Sequence, residues 1–473
     1  MSLISEFASG LSAWEGIDTW ISLAGALAAM ACALPGAWLL LRKQSLLGDA
    51  LSHSVLPGIV VAYLGVSFLE DSGWLSSPSS TSSVTAGMSL IAQRQLALFV
   101  GAAISAVLAA LASEMVQRWG RIEKSAALGV VFTSMFALGL LLIRLFAGRA
   151  HLDPDCVLYG NLEMTAFDTL GKTGIPQAVV VNGLMVLIDG LLVFAFYKEL
   201  LLNSFDPELG AAMGLRPQWI SLAISSATAA TIVAAFESVG AILVVSMLII
   251  PVAAARLLTD RLSAMIYLSL IIAAAGAVMG HIAALTIPSM VFSRIGMPQV
   301  KDASTAGMMS MTTMALFLAA LFASPHHGIF RAWFDRMRLR LRIAKEDLLG
   351  GLFRIEEAME AGEVRPEADT AISRSWVRWV ARRDLIRQNL ISVSPKGDIL
   401  TEPGAQAARS LVRSHRLWEL YMARHFSLPD DHLHATAEQV EHFLGPELQA
   451  ELAAELDQPT TDPHGKSIPN SES

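Results

Sequence analysis

From about Ile17 to Ala323 the chain is a succession of apolar runs near 20 residues long. Each is long enough to cross the ~30 Å hydrocarbon core of a bilayer. Lipid offers no partner to a backbone N–H or C=O, so runs of this kind fold as helices that satisfy their own hydrogen bonds. Nine spans are predicted, at 18–41, 50–68, 96–115, 125–147, 175–197, 217–235, 239–258, 263–287 and 304–324. Mean hydropathy is +0.51. Only 16% of residues are charged, against ~25% for soluble domains, and most charges fall beyond Arg331. Two regimes follow: a membrane domain over 1–324 and, after a linker at 325–344, a soluble tail. Two cysteines, Cys32 and Cys156, exclude a disulfide framework.

Arg42/Lys43, Arg118/Arg121/Lys124, Lys198/Arg216 and Arg256/Arg261 fall in alternate loops, and Arg331, Arg336, Arg338, Arg340 and Arg342 follow the last span. The positive-inside rule puts this set in the cytoplasm together with the tail. The N-terminus and the Ser-rich stretch 72–83 then lie outside. Arg94, Arg144, Arg149 and Arg294 run against the bias.

Asp49 and His53 are four residues apart at the start of a span, hence on one helix face. A charge at membrane depth costs roughly 2.5–3.5 kcal/mol and belongs in a polar interior. Carboxylate plus imidazole suits Mn²⁺, Zn²⁺ or Fe²⁺; an interfacial Asp beside a His bonded to a carbonyl accounts for the pair equally well. His151-Leu-Asp153-Pro-Asp155 lies in an outer loop, readable as a turn or as an entry site for metal, and Glu237 and His281 read as structural polar residues near span ends, with a ligand role as the lesser alternative. Between two spans, Phe205-Asp206-Pro207-Glu208 to Gly214 predicts a short capped helix: Asp206 as N-cap, Pro207 first, Gly214 closing it. Gly171-Lys172-Thr173 matches a loose phosphate loop, but it lies between spans rather than after a buried strand, so ATP hydrolysis is assigned to another chain.

The tail carries a second set of metal-type donors. His415/Glu419, His434/Glu438 and Glu438/His442 are four apart and Glu438/Glu441 three apart, each pair on one helix face. Ile391–Leu400 reads as a two-stranded wing with a Pro-Lys-Gly-Asp turn. Residues 374–416 hold nine Lys/Arg against three Asp/Glu, a patch suited to phosphates. Arg374, Arg378, Arg382, Arg383 and Lys396 are its candidate DNA contacts. The preceding 362–370 is short and Pro-broken where a helix-turn-helix needs its first helix. The expected fold is therefore mainly α: a polytopic helical membrane domain of eight to nine spans, a winged-helix-like domain at 345–410, and a helical metal-binding and dimerisation domain at 411–473.

The stretch Leu41-Arg42-Lys43 through Gly48-Asp49 and His53 to Pro57-Gly58 resembles the ABC-type manganese/zinc/iron importer permeases, as do Ser204–Glu208 and Val239–Pro251. The resemblance implies a multi-pass inner-membrane permease of a bacterium. Its implied partners are a second permease subunit, a cytoplasmic ABC ATPase seated on the Asp206–Gly214 helix, and an extracytoplasmic metal-binding protein. Asp49 and His53 would handle the transported metal. The tail resembles the metal-dependent repressors related to the diphtheria toxin repressor, through Glu346–Glu357, Leu411–Glu419, His434–His442 and Pro459–Pro469. That likeness implies Asp347, His415, Glu438, Glu441 and His442 as ligands, with Glu419 and His434 ancillary. Glu438 stands where iron regulators of that family use cysteine, and a hard carboxylate there favours Mn²⁺. Gly350 stands where manganese regulators carry an acidic ligand. The reading is an importer permease with a fused metal sensor. Its alternatives are a membrane-anchored or proteolytically released metal-dependent repressor, and a secondary transporter.

Overall fold

The computed structural model describes residues 14–72, 84–146, 162–169, 174–292, 303–325, 327–362, 376–395, 397–426, 437 and 440–470. The chain divides into two compact units, 1–331 and 332–473.

In the first unit eight helices are long and apolar enough to span a bilayer. They lie in α1 (Gly16–Leu41), in α2 (Leu46–Ser54) continued by α3 (Leu56–Asp71), and in α4 (Val84–Gly120) and α5 (Lys124–Phe146). After the short α6 (Leu162–Thr165) come α7 (Gln177–Ala195), α8 (Tyr197–Phe205), α9 (Pro207–Ala212), α10 (Pro217–Leu258), α11 (Leu262–Phe292) and α12 (Thr305–Ala323). The spans predicted at 217–235 and 239–258 both belong to α10. Gly240, at φ 74° and ψ 167°, breaks it, in a conformation that glycine alone adopts without penalty. The part beyond the break, Ile242–Leu258, falls just short of span length. The second predicted span begins earlier than the apolar pattern shows, at Leu46, because α2 adds a polar turn to α3.

Helix α1 is central: 78% of its apolar window is buried, against 22–50% for the other seven. Ala24, Ala28, Ala31, Ala33 and Ala37 keep its surface shallow, and small residues let backbones approach in a medium without a hydrophobic drive between helices. A β-carbon on Gly58 would lie 2.1 Å from the Gly101 carbonyl oxygen, so α3 and α4 meet backbone to backbone. The Ser105 hydroxyl donates to the Ser54 carbonyl at 2.7 Å and fastens α4 to the end of α2.

In the second unit α13 (Ile329–Glu360) is followed by α14 (Trp376–Arg387), β1 (Ile391–Ser394), β2 (Gly397–Leu400), α15 (Glu402–His425), a 3₁₀ turn at Glu441–Phe443, and α16 (Pro446–Glu455). The segment expected as a linker is thus helical from Ile329. The strands pair antiparallel with Ile391 opposite Leu400 and Ser394 opposite Gly397, the predicted wing. Leu349, Leu385, Ile391 and Ala408 form a core under the wing. Leu417, Ala453, Leu456 and Ile468 form a second core between α15, α16 and the closing segment. Arg416, buried, holds that segment: its guanidinium pairs with Glu357 and reaches Asp462 at 3.6 Å.

Candidate metal centres

In the membrane unit α2 presents Asp49 and His53 on one face, Nε2 to Oδ1 at 3.6 Å, with side chains 46% and 30% exposed. That separation is too long for a hydrogen bond. The imidazole is placed instead by α5, stacked 6.1 Å from Phe132 and edge-on 5.3 Å from Phe136. Both donor groups therefore stay partly exposed.

Two other intramembrane polar groups have internal partners. His281 Nε2 meets Asp18 Oδ1 at 3.0 Å, joining α11 to α1, which accords with its structural reading. Asp189, buried in α7, accepts from the Thr231 hydroxyl at 2.7 Å and lines a largely apolar cavity of about 500 Å³ with Pro35, Trp38 and Trp219. Asp189 was missed from sequence, although a lone carboxylate inside an apolar run is the signal for it.

The α9 helix forms as its caps dictate. The Asp206 carboxylate accepts from the Leu209 N–H at 2.9 Å, Pro207 opens the first turn, and Gly214 closes the segment at φ 89°. Phe205, Leu209 and Met213 are exposed along it, beside Glu208.

The tail gathers its donors from three stretches of chain. In α15, His415 and Glu419 share a face, with Nε2 3.0 Å from Glu419 Oε1. His415 Nδ1 is 2.6 Å from Glu441 Oε2. His442 Nδ1 lies 2.8 Å from Glu346 Oε2, and Nε2 lies 3.3 Å from Asp347 Oδ1. Asp347, Glu441 and His442 each offer one donor atom within 4.8 Å of the others. Divalent transition metals bind at ~2.0–2.2 Å, so donors on one ion lie roughly 3–4 Å apart and this set must draw in to close on it. Two carboxylates and an imidazole fit such an ion.

Charge in the cluster is balanced by protons. Hydrogen bonding to Asp347, then to Glu346, lifts His442 to about 9 against the opposing effect of burial. Burial by itself lowers His415, but its bonds to Glu419 and Glu441 prevail and the net shift is upward. Burial pushes Glu346 up, and its bonds from His442 and Arg342 more than reverse this. Carboxylates thus favour the protonated form of both imidazoles, most strongly at His442, and an imidazole must lose its proton to ligate. Arg342 completes the network, donating to Glu346 Oε1 at 2.9 Å and to the His442 carbonyl at 3.2 Å.

Sequence reasoning placed Asp347, His415, Glu441 and His442 here, and the fold brings them together. It missed Glu346 as a partner of His442, since α13 gives it the face beside Asp347. His434 and Glu438 lie outside the described residues, as do Arg374, Lys396, His151–Asp155 and Gly171–Thr173. Of the candidate DNA contacts, Arg382 is engaged within the domain, bidentate to Asp398 of the wing at 2.6 and 2.7 Å. Arg383 sits over the Trp379 ring at 5.5 Å, and Arg378 is half-buried.

Residues 18–324 match the ABC 3 transport family. The chain belongs to that family. Residues 401–470 of this permease match the iron dependent repressor, metal binding and dimerisation domain, so one chain joins a metal-transport permease to a repressor-type metal domain. It is 33% identical over 315 residues to the manganese transport system membrane protein MntD of Bacillus subtilis, covering 66% of this chain and 94% of that one. It is 34% identical over 369 residues to the zinc transport system membrane protein TroD of Treponema pallidum, 77% and 88% of the two chains. A probable metal transport system membrane protein of Chlamydia trachomatis is 27% identical over 466 residues, 94% of this permease and 95% of the relative. That match runs through the tail as well as the membrane domain. The relatives are membrane components of transport systems, so the permease is not an enzyme.

Proposed function

We propose that this permease is the membrane subunit of an ATP-driven importer of divalent metal, with Mn²⁺ as the favoured cargo, and that its cytoplasmic tail senses the imported ion. The observation that carries the reading is the union in one chain of the permease family match with the Asp347–Glu441–His442 cluster of the tail. Asp49 and His53 supply two donors on an open face of α2, and a second permease subunit facing it would supply others. An extracytoplasmic binding protein would deliver the ion, and the capped α9 with exposed Phe205, Leu209 and Met213 suits docking on a separate ATPase.

In the tail, metal would be held by Asp347, Glu441 and His442, with His415 and Glu419 steadying Glu441 from behind. Bound metal supplies a cationic crosslink between α13 and the segment after α15. The residues around it supply the switch. When His442 gives up its proton, Glu346 loses its imidazolium partner and remains with Arg342. A sensor built this way reports internal metal as a change in how α13 is held. Arg382, spent on Asp398, stabilises the wing, which weighs toward gating and against DNA binding as the tail's role.

The test is radiolabelled Mn²⁺ uptake in cells supplied with the partner ATPase, comparing wild type, Asp49→Ala and a chain stopped near Phe330. Uptake lost in Asp49→Ala and kept in the truncation is the expected result. Uptake indifferent to Asp49 would remove α2 from the metal path. Metal-dependent DNA binding by the full chain, with no uptake at all, would favour a membrane-anchored repressor.

A further inference from the structure

The first half of α13 is unlike the rest of the tail. In Ile329–Arg342, the residues Ile329, Phe330, Trp333, Phe334, Met337 and Leu341 recur at offsets of 0, 1, 4, 5, 8 and 12. At 3.6 residues per turn they form a continuous stripe about 140° wide. Core-forming stripes are buried, but here Phe330, Trp333 and Phe334 are 57%, 53% and 54% exposed. Arg331, Arg338 and Arg342 line one border of the stripe, and Arg336 and Arg340 fall about 20° to either side of the other, against a single acidic residue, Asp335. Arg336, Arg338 and Arg340 are exposed.

The place where the helix begins is also fixed. Ser324 donates to the Leu257 carbonyl. His327 meets Asp260 at 3.0 Å, and Asp260 accepts from Arg256 at 2.8 Å. Phe330 packs on Phe322 of α12, centroids 5.4 Å apart. The first turn therefore emerges directly from the last span, beside the α10–α11 turn, with Arg256 in the last turn of α10 and Arg261 in the connection. An exposed aromatic stripe flanked by arginines, starting at the edge of a membrane span, has the chemistry of an interfacial helix. Its arginine stems reach across apolar surface while their heads meet anionic groups.

We propose that Ile329–Arg342 lies in the headgroup layer of the bilayer, its aromatic stripe turned into the lipid and its arginines on anionic phospholipid headgroups. The inference rests on the reading of α12 as a membrane span and on neither sidedness nor metal identity. It gives the sensor a second input. Arg342 ends the lipid-facing stretch and also bonds Glu346 and the His442 carbonyl, so headgroup contact and the metal cluster share a residue.

The experiment uses the full chain, with Cys32 and Cys156 replaced, reconstituted in vesicles of phosphatidylcholine alone or enriched in phosphatidylglycerol. A fluorophore is placed on the stripe (Met337→Cys), on the opposite face (Asp335→Cys), or on α12 (Leu318→Cys). In the anionic vesicles the 337 probe is expected to be quenched by nitroxide lipid and shielded from iodide, and the 335 probe the reverse. Replacing Arg336, Arg338 and Arg340 by Gln should lower the docked-to-free ratio about fivefold per arginine, and high salt should act in the same direction. A 337 probe open to iodide in both lipids would overturn the proposal. Docking that ignores lipid charge and the arginines would overturn the headgroup assignment. The 318 probe separates these failures from failure of the membrane reading, since it must be quenched by nitroxide lipid in every case.

Discussion

Glu441→Gln is the perturbation that most directly tests the tail as a metal sensor. Glu441 is buried and touches three charged groups: His415 at 2.6 Å, Arg354 at 3.6 Å and His442 at 4.0 Å. Glutamine keeps the shape and one acceptor but removes a ligand charge from a set of three. Without metal the change costs about 1.5–3 kcal/mol, the range for a hydrogen bond to a charged group. With metal the contrast is larger. At free Mn²⁺ one hundred times the wild-type Kd, binding stabilises the tail by about 2.7 kcal/mol. If affinity falls about 100-fold, the top of the range for loss of a supporting contact and a modest figure for a direct ligand, the same Mn²⁺ gives about 0.4 kcal/mol. Native-state hydrogen exchange of the full chain reads these energies through the slowest amides of α15 and α16. Wild-type amides should slow by about 100-fold on adding Mn²⁺ and the variant's by about twofold. Background binding is removed by working in Asp49→Ala/His53→Ala chains. If the Glu441→Gln tail slows as much as wild type, the cluster is a set of ion pairs and not a metal site.

Asp49→Ala and His53→Ala should each abolish uptake while the Mn²⁺-induced protection of the tail persists, since the two sites lie in separate units; loss of both together would refute their independence. Gly101→Ala places a β-carbon 2.5 Å from that of Ala62 and 2.6 Å from the Gly58 carbonyl oxygen. It should cost about 1–3 kcal/mol, read as a lower half-loss temperature in detergent, whereas Gly65→Ala, which meets nothing within 4 Å, should be silent. In the metal-free tail His442 is lifted to about 9 from an ordinary value of ~6.5. A raised folded-state value means that its ion pairs stabilise fully below ~6.5 and are lost as pH rises through about 9. Amide protection around Glu441–Phe443, corrected for intrinsic exchange, should therefore fall between neutral pH and 9.5 in wild type, and this pH dependence should flatten in His442→Gln.

What contiguous residues decide was legible in the chain. Apolar runs matched to the bilayer placed the spans, because a segment in lipid must satisfy its own backbone. The Asp206–Pro207 start and the Gly214 stop defined α9, because capping is local chemistry. The i, i+4 spacing put Asp49 with His53 and His415 with Glu419 whatever the tertiary fold. The pairing of β1 with β2 followed from its turn.

Tertiary structure decided the rest. Gly240 joins two predicted spans into one broken helix, a conformational choice that hydropathy does not encode. Gly58 and Gly101 became significant only when α3 and α4 were seen to touch. Glu346 and His442, 96 residues apart, meet because Leu349 of α13 shares a core with Ala408 of α15 while Glu441 of the 3₁₀ turn bonds His415 of the same helix. Arg382, a candidate phosphate ligand by sequence, was seen to brace Asp398 of the wing only once the fold was known. The aromatic stripe of α13 was in the sequence throughout, but only the fold showed Phe330, Trp333 and Phe334 to be more than half exposed. Side-chain identity fixes what chemistry a residue offers, and packing fixes which partner it is offered to.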